Sequence, residues 1–77
     1  MRITSQQLLE RGDAAARAGD GVRLSRIATA LADRVGDPFA AYLGAFAQAC
    51  RAGTVRSLRS WPRLRAAIAD RIATAGS

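Results

Sequence analysis

Apolar side chains recur along the chain at the spacing of amphipathic helices. The clearest run lies in the second quarter of the sequence: Leu24, Ile27, Leu31 and Val35. Intervals of three or four residues place these side chains on one helical face. No segment alternates apolar and polar residues with the two-residue period of a strand. The pattern therefore predicts an all-α chain of about four helices.

Turn and capping residues set the expected bounds of the first two helices. Thr4 followed by Gln7 is a capping-box start, with Ser5 as a competing N-cap. The first helix should end near Ala18, because the glycines of segment 19–21 accept the left-handed turn that closes a helix. A second helix is expected from about residue 22 to residue 35.

The third helix is predicted over residues 38–52. Gly36 stops the preceding helix, Asp37 is expected to cap the next one, and Pro38 suits a first helical turn. The helix is apolar on nearly all sides, which is typical of a helix that is buried or that docks against a partner.

The last segment is less regular. Thr54 is expected to cap it, and Ser60 before Pro62 is a second potential N-cap. Because an internal proline breaks or kinks a helix, the sequence predicts a short helix or turn over 55–59 and a longer helix over 61–74.

One motif occurs twice. A shift of 34 positions aligns six identical residues. The first copy contains Leu9, Ala15, Arg17, Ala18, Gly19 and Leu24, and the second contains Leu43, Ala49, Arg51, Ala52, Gly53 and Leu58. A shift of 37 positions then aligns five more. These are Arg26, Ala30, Ala32, Asp33 and Arg34 with Arg63, Ala67, Ala69, Asp70 and Arg71. Such a period indicates two helical hairpins, at about 5–36 and 38–75, within one domain of residues 1–77.

The first copy also carries large, small and turn residues in a familiar order: Leu8, Gly12, Ala15, Gly19-Asp20 and Leu24. In this order it resembles tetratricopeptide-like repeats, and Asp37-Pro38 is similar to the dipeptide that often separates such repeats. The resemblance implies protein binding, with helix faces that line a groove for a peptide or helix. Small proteins of this kind also act as chaperones for secretion subunits. A small bundle of two hairpins fits the same pattern.

Charge separates the two halves of the chain. All twelve basic residues are arginine and the net charge is +6. Residues 38–77 contain six arginines against Asp70 alone. On one continuous helix, Arg56, Arg59 and Arg63 would share a face. That face could meet an acidic protein, contact phosphates without sequence preference, or remain in solvent.

A second candidate surface lies on the third helix. Four large side chains follow at positions i, i+3, i+4 and i+7: Phe39, Tyr42, Leu43 and Phe46. This aromatic stripe either closes the core or, if exposed, seats a partner helix or a second copy of the chain.

Catalytic chemistry is poorly represented. The chain has neither His nor Lys, and its single cysteine, Cys50, excludes an internal disulfide and a zinc site. Cys50 is expected to be a small core residue, while Glu10 and Asp13 are expected on a solvated face. No enzyme activity, cofactor or metal is predicted. The first residues lack a signal-peptide core, and the longest uncharged run, 38–50, is too short to span a bilayer.

The sequence thus favours a cytoplasmic, non-enzymatic protein-binding module, such as an adaptor, chaperone or inhibitor. Its partner would be another protein with an acidic or helical surface, and a homodimer is a further option. The predicted contact residues are Phe39, Tyr42, Leu43, Phe46, Arg56, Arg59 and Arg63. The alternative is a nucleic-acid accessory protein that uses the arginine face.

Overall fold

Four helices form the protein: α1 (Ser5–Arg17), α2 (Gly21–Val35), α3 (Phe39–Arg51) and α4 (Val55–Ala75). The computed structural model describes residues 3–53 and 55–75, and this part of the chain contains no strand. The all-α prediction is therefore confirmed. The helices form two hairpins, α1/α2 and α3/α4.

Each helix of the first hairpin begins with a side-chain cap. Thr4 Oγ1 accepts the Gln7 N–H at 3.0 Å, and Gln7 Oε1 accepts the Thr4 N–H at 2.9 Å. This confirms the capping box. Asp20, which the sequence assigned only to the turn, caps α2 by accepting the Arg23 N–H at 3.0 Å. Gly19 has a φ of 71°, as a left-handed helix end requires.

The start of α3 differs from its prediction. The N-cap is Pro38, with no side-chain hydrogen bond, so the expected cap by Asp37 is wrong. Backbone carbonyls take the place of the carboxylate: Gly36 O accepts the Ala40 N–H at 2.9 Å, and Pro38 O accepts the Ala41 N–H at 3.1 Å. The Asp37–Pro38 peptide bond is cis.

α4 runs without a break through Pro62. The predicted division after residue 59, with Ser60 as an N-cap, is wrong, because Ser60 Oγ donates to the Ser57 carbonyl at 2.8 Å. The continuous helix keeps Trp61 and Leu64 buried on one face while Pro62 stays exposed. Burying a tryptophan contributes roughly 4–6 kcal/mol, more than the about 3 kcal/mol that an internal proline costs. The predicted cap at Thr54 lies outside the described residues.

The four helices surround one core. α2 packs most extensively against α3, and α2 and α4 also contact each other. α1 and α3 each contact both of these helices. The fully buried large side chains are Leu24, Leu31, Leu43, Cys50, Trp61 and Ile68. Cys50 is thus a core residue, as predicted, and burial raises the pKa of its thiol.

Trp61 joins three helices at the centre of this core. A Cβ atom at Gly12 of α1 would overlap the indole, with Trp61 Cη2 only 2.7 Å away. On the other side, the Trp61 and Phe46 rings lie 6.2 Å apart between centroids. The absent side chain at Gly12 therefore makes room for the tryptophan, which lies between Leu58 and Arg63, where the shift of the repeat changes from 34 to 37 positions.

Candidate binding groove between α3 and α4

The aromatic stripe of α3 is divided between core and surface. Leu43 is fully buried and Phe46 is 8% exposed, so neither can reach a partner in this fold. Phe39 is half-buried, whereas Tyr42 is 60% exposed. The Phe39 and Tyr42 rings lie 6.0 Å apart between centroids. Of the predicted stripe, these two residues supply the accessible surface.

The arginine face of α4 is also divided. Arg56, Arg59 and Arg63 are all exposed, as a shared face predicts. Of these three arginines, only Arg63 lies beside the aromatic residues of α3. Arg59 lines a smaller groove against α1, together with Asp13 and other residues of α1 and α4. The structure therefore brings Arg63 together with Phe39 and Tyr42 and leaves Arg56 and Arg59 outside this group.

The group lies in a groove between the first half of α3 and the middle of α4, here called the α3/α4 groove. Its volume is about 630 Å³. Its lining consists of Pro38, Phe39, Tyr42, Ser60, Arg63, Leu64, Ala67 and Arg71. Most of this lining is apolar carbon, and the two guanidinium groups are its charged members.

Contacts at the two ends define the groove. The guanidinium carbon of Arg71 lies 6.0 Å from the centroid of the Phe39 ring, within reach of a cation–π interaction. At the other end, Phe46 and Trp61 contact each other and bring the helices together. Because the start of α3 contacts the last part of α4, and a later part of α3 contacts the first part of α4, the two helices run antiparallel. Ser60 and Arg71 are eleven positions apart on α4, so the groove extends for about 16 Å along that helix.

The charge of the groove is positive. Its lining within residues 3–53 and 55–75 includes no acidic residue. In the described part of the chain, Arg63 makes no hydrogen bond and no ion pair, and Arg71 has only the Phe39 ring as a partner. Asp70, the one acid of residues 38–77, is exposed on α4 and does not line the groove. The two arginines are thus available to an anionic group.

Asp13 has a structural role that the sequence did not reveal. Its Oδ1 accepts the Trp61 Nε1–H at 2.8 Å, and Arg65 Nε lies 2.9 Å from both carboxylate oxygens. The expectation of a solvated face is therefore wrong for Asp13. A buried indole needs an acceptor for its N–H, and this acceptor comes from α1 only because α4 packs there. The ion pair also removes Arg65 from the free arginines of α4.

Arg71 is the groove residue that the sequence did not identify as a contact. Two signals were present. It follows Arg63 by eight positions, about two helical turns, and it is the repeat equivalent of Arg34. Neither signal places it over Phe39, because that contact depends on how α3 and α4 pack.

No protein-family model, curated protein or solved structure matches the chain. The resemblance to tetratricopeptide-like repeats therefore stays a prediction. None of the helices described by the structure combines the length and apolarity needed to cross a membrane.

Proposed function

We propose that the protein is a non-enzymatic module of the cytoplasm that binds another protein in the α3/α4 groove. One observation carries the proposal. The exposed Tyr42 and the half-buried Phe39 share a concave surface with two arginines, Arg63 and Arg71. An adaptor, a chaperone and an inhibitor would each use such a groove.

The composition of the groove supports binding. Aromatic residues and arginine are enriched at protein interfaces and in the side chains that dominate binding energy. The three exposed large apolar side chains of the described residues are Val22, Tyr42 and Val55. Tyr42 differs from the two valines because it lies in a groove beside a second aromatic ring. Scattered apolar residues need no explanation, whereas a rimmed apolar concavity points to an interaction site.

The proposed contacts refine the predicted set. Phe39, Tyr42, Arg63 and Arg71 contact the partner. Leu43 and Phe46 support the groove from the core side of α3. Arg56 and Arg59 lie away from the groove and are not required for partner binding.

A photo-crosslinking amino acid at position 42 tests the proposal in cells that make the protein. The matched control carries the same amino acid at Val22, another exposed apolar position. We expect one defined protein adduct from position 42 and none of that adduct from position 22. Equal yields at both positions, or no adduct at position 42, would contradict the proposal.

The exposed arginines of α4 favour a second candidate function, a nucleic-acid accessory protein. Within the described residues, Arg56, Arg59 and Arg63 make no ion pair, and each could neutralise one phosphate. Such binding would weaken steeply as salt concentration rises. A duplex of about 20 base pairs, titrated at low salt, tests this function. Binding that is lost on Arg56→Glu with Arg59→Glu supports it, and no binding by the wild type excludes it.

A further inference from the structure

We infer, building on the proposed protein-binding function, that the α3/α4 groove takes an acidic amphipathic helix of the partner. Two carboxylates of this helix, about two turns apart, meet Arg63 and Arg71. An apolar side chain between them packs against Phe39 and Tyr42.

Charge complementarity identifies the acidic character of the occupant. Among the residues that the structure describes, the groove presents two guanidinium groups and no carboxylate. A guanidinium group binds a carboxylate through two parallel hydrogen bonds, and partial removal from water strengthens this pairing. A basic or neutral occupant would cover the Arg63 guanidinium without giving it an ion-pair partner.

The spacing of the arginines sets the spacing expected between the two acids of the helix. Arg63 and Arg71 are eight positions apart on α4, about 12 Å along the helix axis. On an occupant that lies along the groove as a helix, carboxylates about seven or eight positions apart would span this distance. On an extended strand, the same distance corresponds to about four positions. The sequence spacing of the acids therefore distinguishes the two conformations.

The surface between the two arginines explains why the occupant needs an apolar side chain. Leu64 and Ala67 form the α4 wall, and the Phe39 and Tyr42 rings form the α3 wall. The small side chains of Ala67 and Ser60 leave room for an aliphatic or aromatic side chain to enter. An amphipathic helix that inserts one apolar row into such a groove is a common recognition mode.

A second copy of the chain is a poor occupant on electrostatic grounds. The net charge of each copy is +6, and residues 38–77 provide a single acid. Pairing two α3/α4 grooves would bring their arginine rims together, where like charges repel. We therefore assign the groove to a different, acidic protein.

The test is a selection from a display library of random peptides of about 16 residues, long enough for four helical turns. Wild-type protein is the bait. Selected peptides are then titrated into three proteins: the wild type, Arg63→Ser with Arg71→Ser, and Arg23→Ser with Arg26→Ser. The last pair is the matched control, because it removes the same charge from exposed positions of α2. Backbone amide NMR shifts locate each peptide on the protein.

We expect enriched peptides with two acids seven or eight positions apart and an apolar residue between them. They should shift the amide signals of Tyr42 and Ala67. Affinity should fall about tenfold in the Arg63/Arg71 variant, as the loss of two partly solvated ion pairs predicts, and should be unchanged in the Arg23/Arg26 control.

Other outcomes separate this inference from the function on which it rests. Peptides that bind in the groove without acids, or with acids about four positions apart, overturn the acidic helix but leave protein binding in place. Peptides that bind outside the groove, or no enrichment at all, overturn both. Displacement of the peptides by duplex DNA at physiological salt overturns both in favour of a nucleic acid. Concentration-dependent dimerisation that shifts Tyr42 and Ala67 overturns the acidic helix in favour of a second copy.

Discussion

The two hairpins share a motif but use equivalent residues differently. Arg34 of the first hairpin ties the start of α1 to α2, with Nη2 donating to Ile3 O at 2.7 Å and Nη1 donating to Ser5 Oγ at 3.1 Å. Its equivalent in the second hairpin, Arg71, lies over the Phe39 ring at the α3/α4 groove. The same residue type is thus a structural tie in one copy and part of a surface groove in the other.

Two apolar positions, by contrast, have the same role in both copies. Ile27 and Leu31 of the first copy are buried, and so are their equivalents in the second copy, Leu64 and Ile68. At these positions the repeat marks side chains that pack between helices. Exposed pairs such as Arg34 and Arg71 keep their identity but differ in their contacts, and the proposed partner surface belongs to the second copy.

The largest expected loss of stability lies at one of the paired leucines, Leu24 and Leu58. Leu24 is fully buried and Leu58 is only half-buried. We expect Leu24→Ala to lower the free energy of unfolding by about 3 kcal/mol and Leu58→Ala by about 1 kcal/mol, since the cavity left behind scales with burial. Urea unfolding measures both. Equal losses would show that the two copies contribute equally to the core.

Two helical glycines provide the next contrast. An alanine at Gly12 gains helix propensity but overlaps the Trp61 ring, so we expect a net loss of about 1–3 kcal/mol. An alanine at Gly44 of α3 meets open space and should stabilise the protein by up to about 1 kcal/mol. Thermal unfolding of both variants measures this contrast. Stabilisation by Gly12→Ala would contradict the close contact between α1 and Trp61.

The Asp13 contact between the hairpins gives a smaller contrast between its two variants, because neither variant is expected to stabilise the protein. Asp13→Ala leaves the buried Trp61 N–H without its acceptor and should cost about 1–3 kcal/mol. Glu10→Ala, one turn away on the exposed side of α1, should change stability by less than about 0.5 kcal/mol. Urea unfolding of the two variants tests the contrast, and a neutral Asp13→Ala would remove the proposed link between α1 and α4.

The helix caps predict the smallest effects. Thr4→Ala removes a capping box and should cost about 1 kcal/mol. Asp37→Ala should change stability by less than about 0.5 kcal/mol, because Asp37 makes no capping hydrogen bond to α3. Thermal unfolding of both variants provides the measurement. A clear loss from Asp37→Ala would restore the cap that the sequence predicted.

The features that the sequence predicted correctly depend on short-range chemistry. The capping box at Thr4 and Gln7 and the left-handed end at Gly19 are decided within one turn of helix. The continuous α4 could not be predicted, because local rules favour a restart at Ser60. What keeps the helix intact through Pro62 is the burial of Trp61 among residues distant in sequence.

The candidate site, like the fold, could be predicted only in part. Helical spacing brought Phe39 and Tyr42 into one stripe with two further residues, and the charge pattern identified Arg63. Periodicity could not show which edge of the stripe faces the core, because α3 is apolar on nearly all sides. The contribution of Arg71 depends on the antiparallel packing of α3 and α4, which the sequence pattern does not determine.

The most direct test of the central claim measures binding and stability together in two variants, Tyr42→Ser and Val22→Ser. Both remove an exposed apolar side chain, one inside the α3/α4 groove and one on the first hairpin. The partner protein is first identified by crosslinking from position 42. For each variant, capture of this partner and the urea unfolding midpoint are then measured. We predict that Tyr42→Ser loses capture at an unchanged midpoint, while Val22→Ser binds as the wild type does. Full capture by Tyr42→Ser, or an equal loss from Val22→Ser, would contradict the assignment of function to the second hairpin.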